Sequence, residues 1–259
     1  MQLDNANIGK LADLVYPDRF QYPRLYFYLK FAQHKIEKIW CDDAESITSA
    51  IVKIKPTEFQ SKSNALIWAD ENSDLDWLMN FSENRETLHF RTVLDWIYEK
   101  IKDSWSISEH YGHDVWYLPD DVQLGEPEYL VEDLRESDIE EVNRNWSYAK
   151  GKISGFVKKK IANGETFAIY LDGKLASYAL FRENGSMGML RTLPGFRGRG
   201  LAKSITYVMV KWIWAQGYIP HVYIAIDNAA SQHLTGSCGF VKKDRQHWFV
   251  KQFSMSNEE

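Results

Sequence analysis

The sequence predicts an α+β protein, an α/β arrangement around a mixed sheet, built in two halves. Three observations carry that expectation. Strand-like runs alternate with stretches of helical periodicity along the chain. Pro119 to Pro127, with Gly125 and three acidic residues, interrupts that alternation. One strand, glycine-rich turn and helix follow one another between Met187 and Gly217, and nothing before the interruption matches them. The expected division is 1–120 for an N-terminal α+β domain and 121–259 for the domain that carries the glycine turn.

In order, residues 9 to 14 predict a short helix with Ile8, Leu11 and Leu14 or Val15 on one face. Leu25 to Phe31 is a dense aromatic run whose periodicity leaves strand and helix open. Ile36 to Trp40 and Ser49 to Ile54 alternate or are β-branched and predict strands, and Asn64 to Trp68 a third. From Asp74 the period becomes helical, with Leu75, Leu78 and Met79 on one face and Val93, Leu94, Ile97, Tyr98 and Ile101 on another. Asp114 to Leu118 predicts a strand before the interruption. Tyr26, Phe27, Tyr28 and Trp40 are expected to be core rather than a ligand cage.

Beyond the interruption, Glu128 to Val131 predicts a strand, and Ser137-x-x-Glu140 a capping box opening a helix. A second helix is expected through Ile153 to Ile161, with Lys158, Lys159 and Lys160 on a solvated face. Thr166 to Leu171 and Lys174 to Phe181 flank Asp172-Gly173, which predicts a two-residue hairpin. The turn at Glu183-Asn184-Gly185 then feeds the apolar run Met187 to Leu190. After the glycine turn, Leu201, Ile205, Val208, Met209, Trp212 and Ile213 recur at helical spacing. His221 to Ile226 predicts the next strand, and Asp227 to Ser231 leads into a short helix closed by Gly239-Phe240.

The turn Leu193-Pro194-Gly195-Phe196-Arg197-Gly198-Arg199-Gly200 points to an anion site. Its glycines lack Cβ, so the backbone can take positive φ and approach a ligand. The following helix aims its first N–H groups and positive dipole end into the turn. Arg197, Arg199 and Lys203 add full charges around it. A Walker loop would need Gly-Lys-Ser/Thr where Gly200-Leu201-Ala202 stands, and a dinucleotide turn would need a glycine at position 203.

What fits is Arg197-x-x-Gly200-x-Ala202, followed by the strand, Asn228, a small-residue helix and Gly239-Phe240 in that order. This succession resembles the GNAT-type N-acyltransferases. Leu193-Pro194-x-Phe196-Arg197-x-x-Gly200-Leu201, with Tyr223 and Asn228-x-x-Ser231-Gln232, is most similar to their glycine N-acyltransferase-like branch. The resemblance covers roughly residues 128 to 252 and implies a GNAT fold there. It implies that the smaller N-terminal half is a degenerate GNAT-like copy or a lid, and no glycine loop there suggests a second cofactor site.

The resemblance also implies a co-substrate, acetyl-CoA or another acyl-CoA, and direct attack of an amine on its thioester. Its pyrophosphate would be held by Arg197, Gly198, Arg199, Gly200, Leu201, Ala202 and Lys203. Its thioester oxygen would be polarised by a backbone N–H near Leu190, Arg191 and Thr192, and its pantetheine arm held at Asn228 and Ser231. Many members place a tyrosine seven residues after the asparagine to protonate the departing sulfur, whereas here that position is Thr235. An alcohol is a far weaker acid than a phenol, so Thr235 can hydrogen-bond the sulfur but is a poor donor, and Tyr223 is a possible replacement. His221, Glu183 and His233 are the candidate bases, alongside relay through water. Cys238 reads as a small buried residue rather than a nucleophile.

Bulk properties narrow the classes further. With 31 basic and 36 acidic residues the formal net charge is −5, so no general attraction to nucleic acid or anionic membrane is expected. Two cysteines far apart make no disulfide framework, no His/Cys/carboxylate cluster has metal-ligand spacing, and no apolar run reaches a membrane span. The N-terminal residues lack a leader pattern. These features predict a cytoplasmic chain without metal, and the resemblance implies a small-molecule amine as acceptor; a mitochondrial location and the oligomeric state stay open. The alternatives are acylation of a protein or peptide amine, with Glu126 to Glu141 supplying an acidic groove, and a CoA-binding protein that has lost catalysis.

Overall fold

The protein is described here by a computed structural model, which describes residues 1–3, 7–56, 63–81, 87–146 and 153–252. In chain order its elements are β1 (Gln2–Leu3), α1 (Ile8–Val15), α2 (Pro23–Phe31), β2 (Ile36–Cys41), β3 (Ser49–Ile54), β4 (Asn64–Ala69), α3 (Asp76–Met79), β5 (Leu88–Leu94), α4 (Asp95–Ile101) and β6 (Ile107–Tyr117). They continue as α5 (Ile139–Asn145), α6 (Ser154–Ala162), β7 (Thr166–Leu171), β8 (Lys174–Phe181), β9 (Met187–Thr192), α7 (Leu201–Ala215), β10 (His221–Ala225), α8 (Ala229–Ser237) and β11 (Val241–Lys251). They group into two compact units. The first holds Met1–Val115, Tyr223–Asp227 and Lys242–Glu259, and the second Trp116–Val222 and Asn228–Val241.

The first unit is organised by an eight-stranded sheet in the order β1-β2-β3-β4-β5-β11-β6-β10. β2 to β4 pair antiparallel and β4 with β5 parallel, so the sheet is mixed. Every residue of β3 and β4 is buried, as expected of strands covered on both faces. α2 resolves the aromatic run as helix: Pro23 occupies the first turn, where its missing N–H costs nothing, and Leu25, Tyr28 and Leu29 fall on the buried face. Tyr28 and Trp40 are buried, and Tyr26 and Phe27 pack against the same core. Val93 and Leu94 depart from the expected helix, which begins only at Asp95. They end β5, where Val93 pairs with His247 and Leu94 with Gln246 of β11. The partner strand lies far away in sequence, so a local period cannot register it.

The second unit centres on the antiparallel sheet β7-β8-β9, against which α7 packs through Trp212 onto Phe167 and Phe181. Asp172 at φ 50° and Gly173 at φ 73° close the β7–β8 hairpin, both in the left-handed region that a two-residue turn of the I′ kind requires. The strand expected at Glu128 to Val131 is absent; a single bridge, Glu132 to Ala168, stands in its place. Leu130 is 77% exposed, so this segment buries no apolar face that would hold it in a ladder. The turn before α5 is fastened at Arg135 and Asp138 instead of Ser137: the Asp138 carboxylate accepts the Arg135 N–H and the Tyr170 hydroxyl. Lys160 is a further correction, since it is buried and ion-paired with Glu165 at 2.6 Å rather than solvated.

Candidate functional site

The glycine turn lies in the second unit, between β9 and α7. Gly195, Gly198 and Gly200 have φ of 86°, 75° and 79°, where a Cβ would be strained. Gly200 is the N-cap of α7 and has no side chain with which to cap it. Phe196 N–H is taken by Leu193, and Lys203 and Ser204 N–H by the Gly200 carbonyl. Among the described residues, the N–H groups of Arg197, Gly198, Arg199, Gly200, Leu201 and Ala202 donate to no backbone carbonyl. A run of consecutive amides at the positive end of a fifteen-residue helix is suited to an anion of several oxygens.

The side chains around the turn prop it from outside. Arg197 Nε donates to the Thr192 carbonyl at 3.3 Å and Arg199 Nη2 to the Gly195 carbonyl at 3.1 Å. Both residues are exposed, so their remaining donors face solvent. Glu128 was not foreseen here: a Cβ built on Gly200 would stand 3.4 Å from its Oε2, and its N–H donates to Ser204 Oγ at 3.1 Å. Such a carboxylate complements the dipole of the unliganded helix and opposes an incoming phosphate.

β9 carries a second feature that its apolar pattern hid. Arg191 pairs with Tyr178 and Gly188 with Leu180, so Met189 and Leu190 share one partner position and form a bulge. Met189 takes φ 54°, rare for a residue with a side chain. The bulge re-aims the strand at the segment Leu190, Arg191 and Thr192, where a backbone N–H is expected to meet a carbonyl oxygen.

The other expected residues are distributed between the two units. Asn228 is the N-cap of α8, its Oδ1 accepting the Ser231 N–H at 3.1 Å. Thr235 is buried on α8, one turn before Cys238. Burial pushes the pKa of the Cys238 thiol up, while the neighbouring Ser237 hydroxyl, Lys203 and the Thr206 hydroxyl act in the opposite direction. The C-terminal end of α8 therefore lies beside the first turns of α7. His221 is buried, with Nδ1 at 2.8 Å from the Ile219 carbonyl. A carbonyl only accepts, so Nδ1 carries the proton and Nε2 the basic lone pair in the neutral ring. Glu183 is 3.6 Å from Lys159. His233 is exposed. Tyr223 belongs to the first unit; burial pushes its phenol up to about 12, while the Arg24 guanidinium and backbone N–H act in the opposite direction.

Comparison with known proteins bears on the fold. Residues 168–249 match the family model described as FR47-like protein. No curated protein matches the sequence. Among solved structures, an X-ray structure of a Drosophila protein has a TM-score of 0.74 at 15% identity, covering 98% of each chain. A GCN5-related N-acetyltransferase from Sphaerobacter thermophilus has a TM-score of 0.60 at 12% identity, covering 97% of this chain and 94% of that one. A tandem GNAT protein from the clavulanic acid biosynthesis pathway has a TM-score of 0.56 at 14% identity over 99% of both chains.

The fold is that of the GNAT acetyltransferases, and the tandem relative fits an architecture of two such halves. The glycine turn lies within the residues that the FR47-like model covers. Among the described residues, no helix is long and apolar enough to cross a membrane.

Proposed function

We propose that the chain is an acyl-CoA-dependent N-acyltransferase that moves an acyl group, acetyl or larger, to the amine of a small acceptor such as glycine or another amino acid. The observation that carries this reading is the run of unclaimed N–H groups from Arg197 to Ala202. These amides, with Arg197, Arg199 and Lys203, bind the pyrophosphate. Acyl-CoA, when bound, supplies an activated thioester. The N–H groups at the β9 bulge, around Leu190, Arg191 and Thr192, stabilise the oxygen that gains charge as the amine adds. Asn228 and Ser231 orient the pantetheine arm from the start of α8.

Proton transfer divides between two places. His221, with its tautomer set by Ile219, is the better base than Glu183, whose charge is engaged by Lys159. The departing thiolate needs little help, since an ordinary thiol has a pKa of about 8.5. Thr235 positions the sulfur, and the high pKa of Tyr223 makes it a reluctant acid, so water completes the step. Thr235→Ala then lowers single-turnover rates by less than tenfold, whereas a general acid is typically worth about a hundredfold or more.

The direct test is release of free thiol from acetyl-, benzoyl- and longer acyl-CoA in the presence of glycine, other amino acids and simple amines. Amine-dependent release is expected for at least one pair. Tight CoA binding with no release above hydrolysis for any pair would replace this reading with that of a CoA-binding protein without catalysis.

A further inference from the structure

The first unit contains a buried cation that the acyltransferase chemistry does not use. Arg24, in the first turn of α2, is only 5% exposed. Its Nε and Nη2 are enclosed and, among the described residues, have no hydrogen-bond partner. Its guanidinium lies over the rings of Tyr223 and Trp248, with Cζ 4.4 Å and 5.0 Å from their centroids. Arg91 approaches the same Trp248 ring at 5.2 Å, and its Nε is likewise enclosed without a partner. His113 stacks on Trp248 at 4.0 Å. Arg91, Trp248, His113 and Tyr223 come from β5, β11, β6 and β10, which are consecutive neighbours in the sheet.

A guanidinium stays protonated at neutral pH, so burial cannot be relieved by neutralising it. Burial is the chief cause that lowers the pKa of both arginines, and Arg24 lowers that of Arg91 further. Glu109 bears on Arg91 electrostatically. Among the described residues no carboxylate forms an ion pair with Arg24. Ring faces return only part of what desolvation removes. The two unsatisfied nitrogens are moreover one edge of the guanidinium, the fork that grips both oxygens of a carboxylate. Arg91, Tyr223, Trp248 and His113 are each partly exposed, so the enclosed fork is bordered by residues in touch with solvent.

We propose that Arg24, with Arg91 beside it, forms a carboxylate-binding site in the first unit whose occupant is the carboxylate of an amino-acid acceptor. The site stands on the geometry of the arginines; the identity of its occupant rests on the acyltransferase reading.

The test measures binding of glycine and phenylalanine to the full chain without CoA, by calorimetry and by thermal shift. Glycinamide, phenylalaninamide and inorganic phosphate serve as controls. At least one amino acid is expected to bind, with its amide and phosphate at least tenfold weaker. Arg24→Met is expected to weaken that amino acid at least tenfold. Because it removes an unpaired charge at similar volume, its unliganded melting temperature stays at or above the parent's. Arg91→Gln, at a partly exposed position, is the second variant, with a several-fold loss. Equal binding by both variants, by amides or by phosphate would overturn the site, as would failure of both amino acids to bind. An Arg24→Met chain that melts well below the parent would make Arg24 a structural element instead. Arg24-dependent binding without any thiol release would keep the site and remove the acyltransferase reading. Thiol release indifferent to Arg24 and Arg91 would do the reverse.

Discussion

Two helices of the second unit begin in opposite ways. At α8, Asn228 turns its side chain back and accepts the Ser231 N–H, so the helix satisfies part of its own positive end. At α7, Gly200 offers no side chain, and among the described residues the amides from Arg197 to Ala202 donate to no carbonyl. A helix start without a cap costs stability unless something else occupies it. The turn before α7 is also built from three glycines at positive φ, where another residue would strain the backbone. One helix start is satisfied by its own side chain, and the other leaves its amides open.

The largest effect is expected where that contrast is erased. Gly198→Asp puts a negative charge and a strained side chain where the amides should meet phosphate, and CoA affinity should fall at least tenfold, about 1.4 kcal/mol. Calorimetry with CoA and with pantetheine separates the causes: pantetheine should be spared, and equal losses would mean that the turn does not read phosphate. The complementary change is Asn228→Ala, which removes the cap and should destabilise the chain by ~1 kcal/mol in chemical denaturation. Its CoA affinity should drop less than that of Gly198→Asp; a larger drop would make Asn228 primarily a ligand contact. The smallest effect is expected from Glu128→Gln, which withdraws a carboxylate from beside Gly200. CoA should bind about two- to threefold tighter and the unliganded chain melt slightly lower, following the interaction of a charge with a helix end. Weaker CoA binding would show that Glu128 assists the ligand.

The glycine turn was legible because its chemistry is local. Gly195, Gly198 and Gly200 are needed by their own φ values, and the helix they open announces itself by its own period. The Asp172-Gly173 hairpin is legible for the same reason. The bulge at Met189 was not, since neither it nor Leu190 departs from an ordinary strand composition. Glu128 was read as part of a strand, and nothing in its neighbours places it beside Gly200. The expected catalytic residues were legible only through family resemblance, and geometry adds a tautomer to His221 and an enclosed hydroxyl to Tyr223.

By itself the sequence determined what short-range forces decide: turns, caps, periods and the residue types able to receive an anion. Tertiary structure decided the rest. It drew Val93 and Leu94 into β5 by pairing them with β11, and it turned Lys160 inward onto Glu165. It also gathered Arg24, Arg91, Tyr223 and Trp248, far apart in sequence, around an enclosed guanidinium. The physical reason is the same in each case. Strand pairing and the burial of charge depend on neighbours distant along the chain, and a local pattern holds no record of which neighbours folding will supply.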